Sequence, residues 1–221
     1  MMTHCLTHDG GLANTYVLQE NEREYVVIDP SDYDILKDCV VEFSGKICYV
    51  FLTHEHWDHI AGLNQLRNEC DVKVYSTTYC SKAIQSEKLN LSKYSSVLHK
   101  ENAGIEMPFV CEGADTVFSG EFQLQIGNSK IKLIETPGHS PGSCCIRIGK
   151  RLFAGDTVLE CVEDIFRMPR HDLTVYRERT LPLLKKMNVE NKDLVLYPGH
   201  GKELLLRDMI DLITKYLEVN K

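Results

Sequence analysis

Residues 47–60 read ICYVFLTHEHWDHI: an apolar run, Ile47 to Leu52, that breaks at Thr53 into His54-Glu55-His56-Trp57-Asp58-His59. The run has the length and the aromatic and β-branched content of a buried strand, and is far shorter than the ~20 residues of a membrane span. His54 and His56 stand two apart just beyond it, so in extended backbone both imidazoles leave the same face. Asp58 and His59 fall where the next segment, HIAGLNQLRNE, spaces Ile60, Leu63 and Leu66 for a helix lying on a sheet. There they turn toward a second point close by. Three imidazoles and a carboxylate converging on a strand end suit a hard-to-borderline divalent metal. A chance H-x-H-x-D-H in such a chain has odds on the order of 10⁻³.

Three further strings supply what this one lacks. Gly138-His139 follows the strand run KIKLIE, Gly155-Asp156 follows RLFA, and Gly199-His200 follows LVLYP. Each metal-type residue is preceded by glycine, which permits tight turns and close approach of backbone to a site. Singly, each histidine reads more readily as surface or satisfied core. Together, four strand ends deliver seven metal-type side chains, which structure alone explains poorly.

The 221 residues, 43% hydrophobic and 26% charged, describe an ordinary globular chain with a real core. A net charge of -7 disfavours electrostatic capture of nucleic acid. The segment MMTHCLTHDGGLANTYVL lacks the basic-then-apolar pattern of a secretory signal. Nine cysteines are an odd number, and none lies in a C-x-x-C pair. They read as reduced thiols, and the expected compartment is cytoplasmic, with no membrane partner. Adjacent Cys144 and Cys145 should point to opposite faces of a strand. The composition sets no oligomeric state.

Along the chain, 15–19 (TYVLQ) and 24–29 (EYVVID) read as a hairpin across ENER, followed by a helix over 31–43. A strand at 72–77 and a helix at 78–85 come next. Residues 86–113 are irregular, and such a connection is expected to shape or cover a substrate entrance. The β-rich stretch FQLQIG, KIKLIETPG, SCCIRIG and KRLFAGDTV turns at Gly127-Asn128. Helices over 173–187 and 201–219 flank the strand DLVLYPG (193–199). This order predicts two sheets face to face with helices outside, one domain over 1–221.

The ordered set H-x-H-x-D-H, GH, GD and GH resembles the metallo-β-lactamase-fold hydrolase superfamily, most closely its glyoxalase-II-like (hydroxyacylglutathione hydrolase-like) branch. The resemblance implies an α/β fold, the αββα four-layer sandwich with two stacked mixed sheets and the site at one edge between them. It puts one metal on His54, His56 and His139, and a second on Asp58, His59 and His200, with Asp156 bridging. Zinc is the first choice, and iron or manganese accepts the same ligands. The implied reaction is hydrolysis of a thioester by a hydroxide bridging two divalent metal ions, with Asp58 also orienting the attacking water. The substrate would be a small-molecule or carrier-linked acyl compound. Asn14 and Asp29 are candidates for orienting ligating imidazoles.

Departures from the branch bear on the substrate. Only about twenty residues follow His200, too few for the helical region that holds glutathione in true glyoxalase II enzymes. After Asp156 the chain reads TVLECVEDIFRMPRHD, where those enzymes are glycine-rich. Arg167 or Arg170 is a candidate for an anionic substrate. Aspartate at 156, where the best-known β-lactamases carry cysteine, disfavours lactams. His56 stands where the diiron flavoproteins usually carry glutamate. Relatives acting on RNA phosphodiesters tend to carry basic surface that this chain lacks. The rival from another class is a persulfide dioxygenase with one iron on His54, His139 and Asp156. His4, His8, His99 and His171, away from glycine turns at strand ends, are expected to be non-ligands.

Overall fold

The alternation of side chains along the strands decides the layering. In the computed structural model, which describes residues 2–7, 11–19, 24–43, 46–98 and 105–220, the strands form two mixed sheets. The first runs, in order, β1 (Met2–Leu6), β2 (Thr15–Gln19), β3 (Glu24–Ile28), β4 (Lys46–Phe51), β5 (Lys73–Thr77) and β6 (Thr116–Phe118). The second contains β7 (Glu121–Ile126), β8 (Ser129–Glu135), β9 (Cys144–Ile148), β10 (Arg151–Gly155), β11 (Val195–Pro198) and β12 (Leu204–Leu205), ordered β12-β11-β10-β9-β8-β7.

Tyr16, Leu18, Val26, Ile28 and Phe51 of the first sheet meet Ile131, Leu133, Cys144, Ile146 and Phe153 of the second. Their neighbours face outward. Val17, Tyr25, Val27 and Val50 pack under helices Tyr33–Phe43 and Leu63–Glu69 through Leu36, Leu63 and Leu66. Cys145, Leu152, Ala154 and Leu196 pack under helices Leu181–Glu190 and Leu206–Val219 through Leu184, Met187, Met209 and Ile213. The result is the α/β/β/α stack expected from the sequence. Cys144 and Cys145 do lie on opposite faces of β9. Burial on both faces explains why ICYVFL reads as a continuous apolar run. Each large side chain so buried contributes roughly 1.5–3 kcal/mol.

Several boundaries differ from expectation for local reasons. The helix expected from 31 begins at Tyr33, because the Asp32 carboxylate accepts the N–H groups of Asp34 and Ile35, at 2.8 and 3.3 Å. The helix expected over 78–85 spans Thr78–Ala83, capped by Thr77. The helix expected from 201 begins at Leu206, since Leu204–Leu205 first pair with β11. That expected over 173–187 continues to Glu190 through a π turn at Tyr176–Thr180. Strands β1, β6 and β12 were not expected. β2 and β3 pair antiparallel, Tyr16 opposite Ile28, but the ENER turn lies outside the described residues. Within 86–113, Ser92–Tyr94 and Ser95–Leu98 form short helical turns. Among the described residues no helix is long and apolar enough to cross a membrane.

β3 and β4 are parallel in the first sheet. β10 and β11 are parallel in the second, and β8 is antiparallel to β9, which is antiparallel to β10. The carboxyl ends of β8, β10 and β11 therefore share one edge.

Candidate metal centre

Beyond β4 the chain stays extended through His56 (φ -65, ψ 143) and then makes one helical turn, Trp57–Ile60. Fully buried Trp57 pins this turn: its ring packs with Leu12 and Leu91, and its backbone N–H donates to the Asn90 carbonyl at 2.8 Å. The Asp58 carbonyl accepts from the Ala13 N–H at 3.1 Å. The rings of His54 and His56 consequently stand 4.5 Å apart, and those of His54 and His59 4.1 Å.

The second sheet adds His139, Asp156 and His200 from three loops. All seven residues named by the sequence meet. Their nitrogen and oxygen atoms fall into three trios, each within 4.8 Å: His54, His56 and His139; His54, His59 and Asp156; and Asp58, His59 and His200. Asp156 Oδ1 stands 3.4 Å from His59 Nε2, and its Oδ2 lies 3.6 Å from His139 Nε2 and 3.8 Å from His200 Nε2. It therefore lies between the other two trios. Gly199 is required by this crowding, because a Cβ there would lie 2.1 Å from Asp156 Oδ1 and 2.5 Å from His59 Cε1.

The imidazoles are held from behind. Asp29 Oδ2 pairs with His59 Nδ1 at 2.8 Å, while the same carboxylate accepts the N–H and hydroxyl of Thr53 at 2.7 and 2.5 Å. His139 Nδ1–H donates to the Ile165 carbonyl at 2.7 Å. These bonds fix the tautomer that leaves each Nε2 lone pair toward the centre. Asp29 thus does what the sequence suggested. Asn14 has a different task. Its Nδ2 donates to the carbonyls of Pro198 and Gly201, at 3.1 and 2.9 Å, and so holds the loop on both sides of His200. Thr53 was missed by sequence reasoning, and its only signal was a hydroxyl directly before the motif.

A divalent cation fits this donor set. His54 Nε2, His56 Nε2, His59 Nε2, Asp58 Oδ1 and Asp156 Oδ1 are all buried without a hydrogen-bond partner. His56 turns its other nitrogen, Nδ1, toward His139; leaving the remaining four atoms unsatisfied is costly unless something accepts their lone pairs. His56 Nδ1 and His139 Nε2 stand 3.2 Å apart. Two nitrogens each ~2.0–2.1 Å from a tetrahedral ion would be about 3.3 Å apart.

Charge divides the centre. Burial, reinforced by neighbouring imidazoles, holds His54 and His56 well below the ordinary histidine range, and burial lowers His139 as well. Burial also opposes charge on His59 and His200, but the Asp156 and Asp58 carboxylates outweigh it and raise both. Desolvation alone would raise Asp58 and Asp156. The imidazoles of His59 and His200 overcome it and hold both carboxyls below their usual range. His54, His56 and His139 are thus neutral beside ionised carboxylates, as metal binding demands. A cation at Asp58, His59 and His200 would have to displace the protons those carboxylates favour on the two imidazoles. Glu55 joins none of the trios. It accepts from Ser140 Oγ at 3.0 Å, and burial pushes its carboxyl up to about 7.

A cavity of about 280 Å³ opens onto His56, Asp58, Asp156 and His200, walled by Gly11, Leu159, Asp164, Arg167 and Met168. None of the described residues of 86–113 lines it, and residues 99–104 of that segment lie outside the described residues. Leu91, Ile105, Met107 and Phe109 instead pack around Trp57, bracing the ligand turn from outside. Arg170 is likewise not at the cavity: its guanidinium donates to the Leu89 carbonyl. Arg167 is, and lies 3.7 Å from Asp164. His171 is exposed, its Nδ1 at 2.9 Å from the Met168 carbonyl, and His4 lies on β1, so neither joins the cluster. His8 and His99 lie outside the described residues.

Known proteins resemble this chain in sequence and fold. Over 196 residues the chain is 29% identical to a probable metallo-hydrolase of Bacillus subtilis, covering 86% of each. It is 27% identical over 134 residues to a hydroxyacylglutathione hydrolase of Shewanella pealeana, 60% of this chain but 41% of that enzyme. The crystal structure of the BLEG-1 B3 metallo-beta-lactamase superposes with a TM-score of 0.76 at 25% identity, over 96% of this chain and 100% of that one. Members of the family concerned bind divalent metals and are mostly hydrolases. Since its model matches residues 8–200, the chain belongs to the metallo-beta-lactamase superfamily.

Proposed function

We propose that this chain is a metal-dependent hydrolase of thioesters, acting on a small-molecule or carrier-linked acyl compound. The observation that carries this reading is the meeting of three trios of histidine and aspartate donor atoms, each within 4.8 Å, beside an open cavity lined by His56, Asp58, Asp156 and His200. In it, His54, His56 and His139 would hold one divalent ion, and Asp58, His59 and His200 a second, with Asp156 placed to serve both. Zinc is the first choice, and iron or manganese the alternatives. Such ions, when bound, lower the pKa of water and polarise a carbonyl oxygen.

The chain's own residues do the rest. Asp58 Oδ2 stands 3.1 Å from His200 Nε2, while its buried Oδ1 has no hydrogen-bond partner and so can accept a hydrogen bond from the attacking water and orient it. The imidazoles of His59 and His200 keep that carboxylate ionised. Asp156 is held ionised too, so neither carboxyl is a ready acid for an alkoxide or amine leaving group. A thiolate needs none, because its conjugate acid has a pKa near ~8.5. Leu159 and Met168 offer an apolar wall to the acyl chain, and Arg167 a cation to an anionic carrier. The similarity to a hydroxyacylglutathione hydrolase supports the thioester.

The test is metal analysis of the purified protein with turnover of S-lactoylglutathione, acyl-coenzyme A, a chromogenic lactam, a phosphodiester and glutathione persulfide. Two ions per chain and fastest cleavage of a thioester are expected. Faster cleavage of the lactam or the phosphodiester would overturn the substrate class. One iron per chain with oxygen uptake on the persulfide would replace the reading with the mononuclear-iron dioxygenase.

A further inference from the structure

The half of the centre delivered by the second sheet rests on a helical turn that the chemistry above does not use. Between Leu173 and Glu190 the helix widens into one π turn, Tyr176–Thr180. π turns insert an extra residue into the helical ladder and recur at functional sites. Tyr176 is fully buried, and its hydroxyl donates to the Thr157 carbonyl at 2.6 Å, one residue beyond Asp156. Its Cβ lies against Gly138. A Cβ added there would come within 2.5 Å of it, and Gly138 has φ 138, which only glycine tolerates easily. Thr180 Oγ1 donates to the Pro137 carbonyl at 2.6 Å, two residues before His139. The Asp172 N–H donates to the Gly138 carbonyl at 2.8 Å.

One helical segment therefore grips the peptide before His139 and the peptide after Asp156. The two loops are also joined directly, Thr136 Oγ1 to Thr157 Oγ1 at 3.0 Å. Core packing alone does not account for these hydroxyls. A helical threonine ordinarily returns its hydroxyl to a carbonyl three or four residues back, whereas that of Thr180 reaches another loop. Tyr176 packs in the outer core of the second sheet as phenylalanine would, so its hydroxyl is an addition to that packing.

We propose that Tyr176 and Thr180 are positioning residues that set the separation of Asp156 from His139, and through it the affinity and geometry of the metal pair. The proposal rests on the reading of the seven residues as a metal centre. The test titrates cobalt(II) into chelator-treated protein, following the visible spectrum and the heat of binding, for wild type, Tyr176→Phe, Thr180→Val, the double variant and Thr180→Ser. Thermal unfolding of each metal-free protein runs alongside. Leu184→Ala, a core change on the same helix, reports destabilisation alone.

Tyr176→Phe and Thr180→Val are expected to bind cobalt about 10- to 100-fold more weakly with an altered spectrum. Thr180→Ser should restore both, and Leu184→Ala should lower the unfolding temperature while leaving the spectrum unchanged. An unaltered spectrum and affinity in the double variant would overturn the proposal. So would losses of affinity that merely track unfolding temperature as they do in Leu184→Ala. If wild type bound no cobalt, the reading of the centre itself would fall, a result distinct from either.

Discussion

The first sheet presents four of the seven metal-type side chains within His54–His59, on one strand-to-helix turn, whereas the second presents three from three separate loops. The first group is placed almost entirely by its own backbone. Extended geometry aligns His54 with His56, and one helical turn swings Asp58 and His59 to the neighbouring point. The second group has no local geometry in common. His139 is held by the Ile165 carbonyl, His200 by Asn14 on either side of its loop, and Asp156 through the next residue, Thr157, which Tyr176 and Thr136 bind. A contiguous group is thus robust in register, and a dispersed group depends on distant bracing.

The sharpest way to break this comparison is to remove one ligand from each group. His56→Ala and Asp156→Ala should each lower metal content and reduce thioester hydrolysis by about three powers of ten or more, as expected when several kcal/mol of transition-state stabilisation is lost. Both should fold, because the aromatic and aliphatic layers between the sheets are untouched. Full activity in either, with metal content measured on the same sample, would refute its assignment. Gly199→Ala ranks next. Its methyl group would meet Asp156 and His59 together, so metal content should fall although no ligand is changed.

Bracing should cost less than ligation. Asp29→Asn preserves a residue type that tolerates the positive φ of 51 at this position. It replaces the carboxylate that receives His59 Nδ1–H with a neutral amide. Metal affinity should drop about 10- to 100-fold, read by competition with a chromogenic chelator, with little change in the unfolding temperature of the metal-free protein. An equal loss on replacing Asn14, which holds the His200 loop through the Pro198 and Gly201 carbonyls, would show that the two groups are braced alike and would dissolve the distinction.

What the sequence made legible follows the same division. His54–His59 could be read because strand, turn and helix periodicities meet there, and His139, Asp156 and His200 because glycine after a strand marks a tight approach. The bracing could not. That Asp29 meets His59, or that Tyr176 reaches Thr157, is decided by packing between segments far apart in the chain. β1, β6 and β12 escaped because short edge strands are stabilised by neighbours more than by their own residues. For residues 86–113, irregular composition announces a loop but not the surface it lies on; Leu91, Ile105, Met107 and Phe109 of that segment pack around Trp57.

The smallest effect belongs to Arg167, in the turn after the short helix Val162–Ile165, where it walls the cavity. Its side chain is 77% exposed, and its pairing with Asp164 at 3.7 Å is a surface one worth little to stability. Arg167→Ala should therefore leave the unfolding temperature within experimental error. If the dispersed half of the site supplies substrate contacts as well as ligands, KM for an anionic thioester should rise by roughly three- to tenfold, about 1 kcal/mol, with kcat unchanged. An uncharged thioester of similar size should be unaffected, and the KM difference should shrink with salt, since an exposed cation is screened. A fall in kcat with constant KM would instead place Arg167 among the groups that shape the metal centre. It would also move the boundary between chemistry and recognition further into the second sheet.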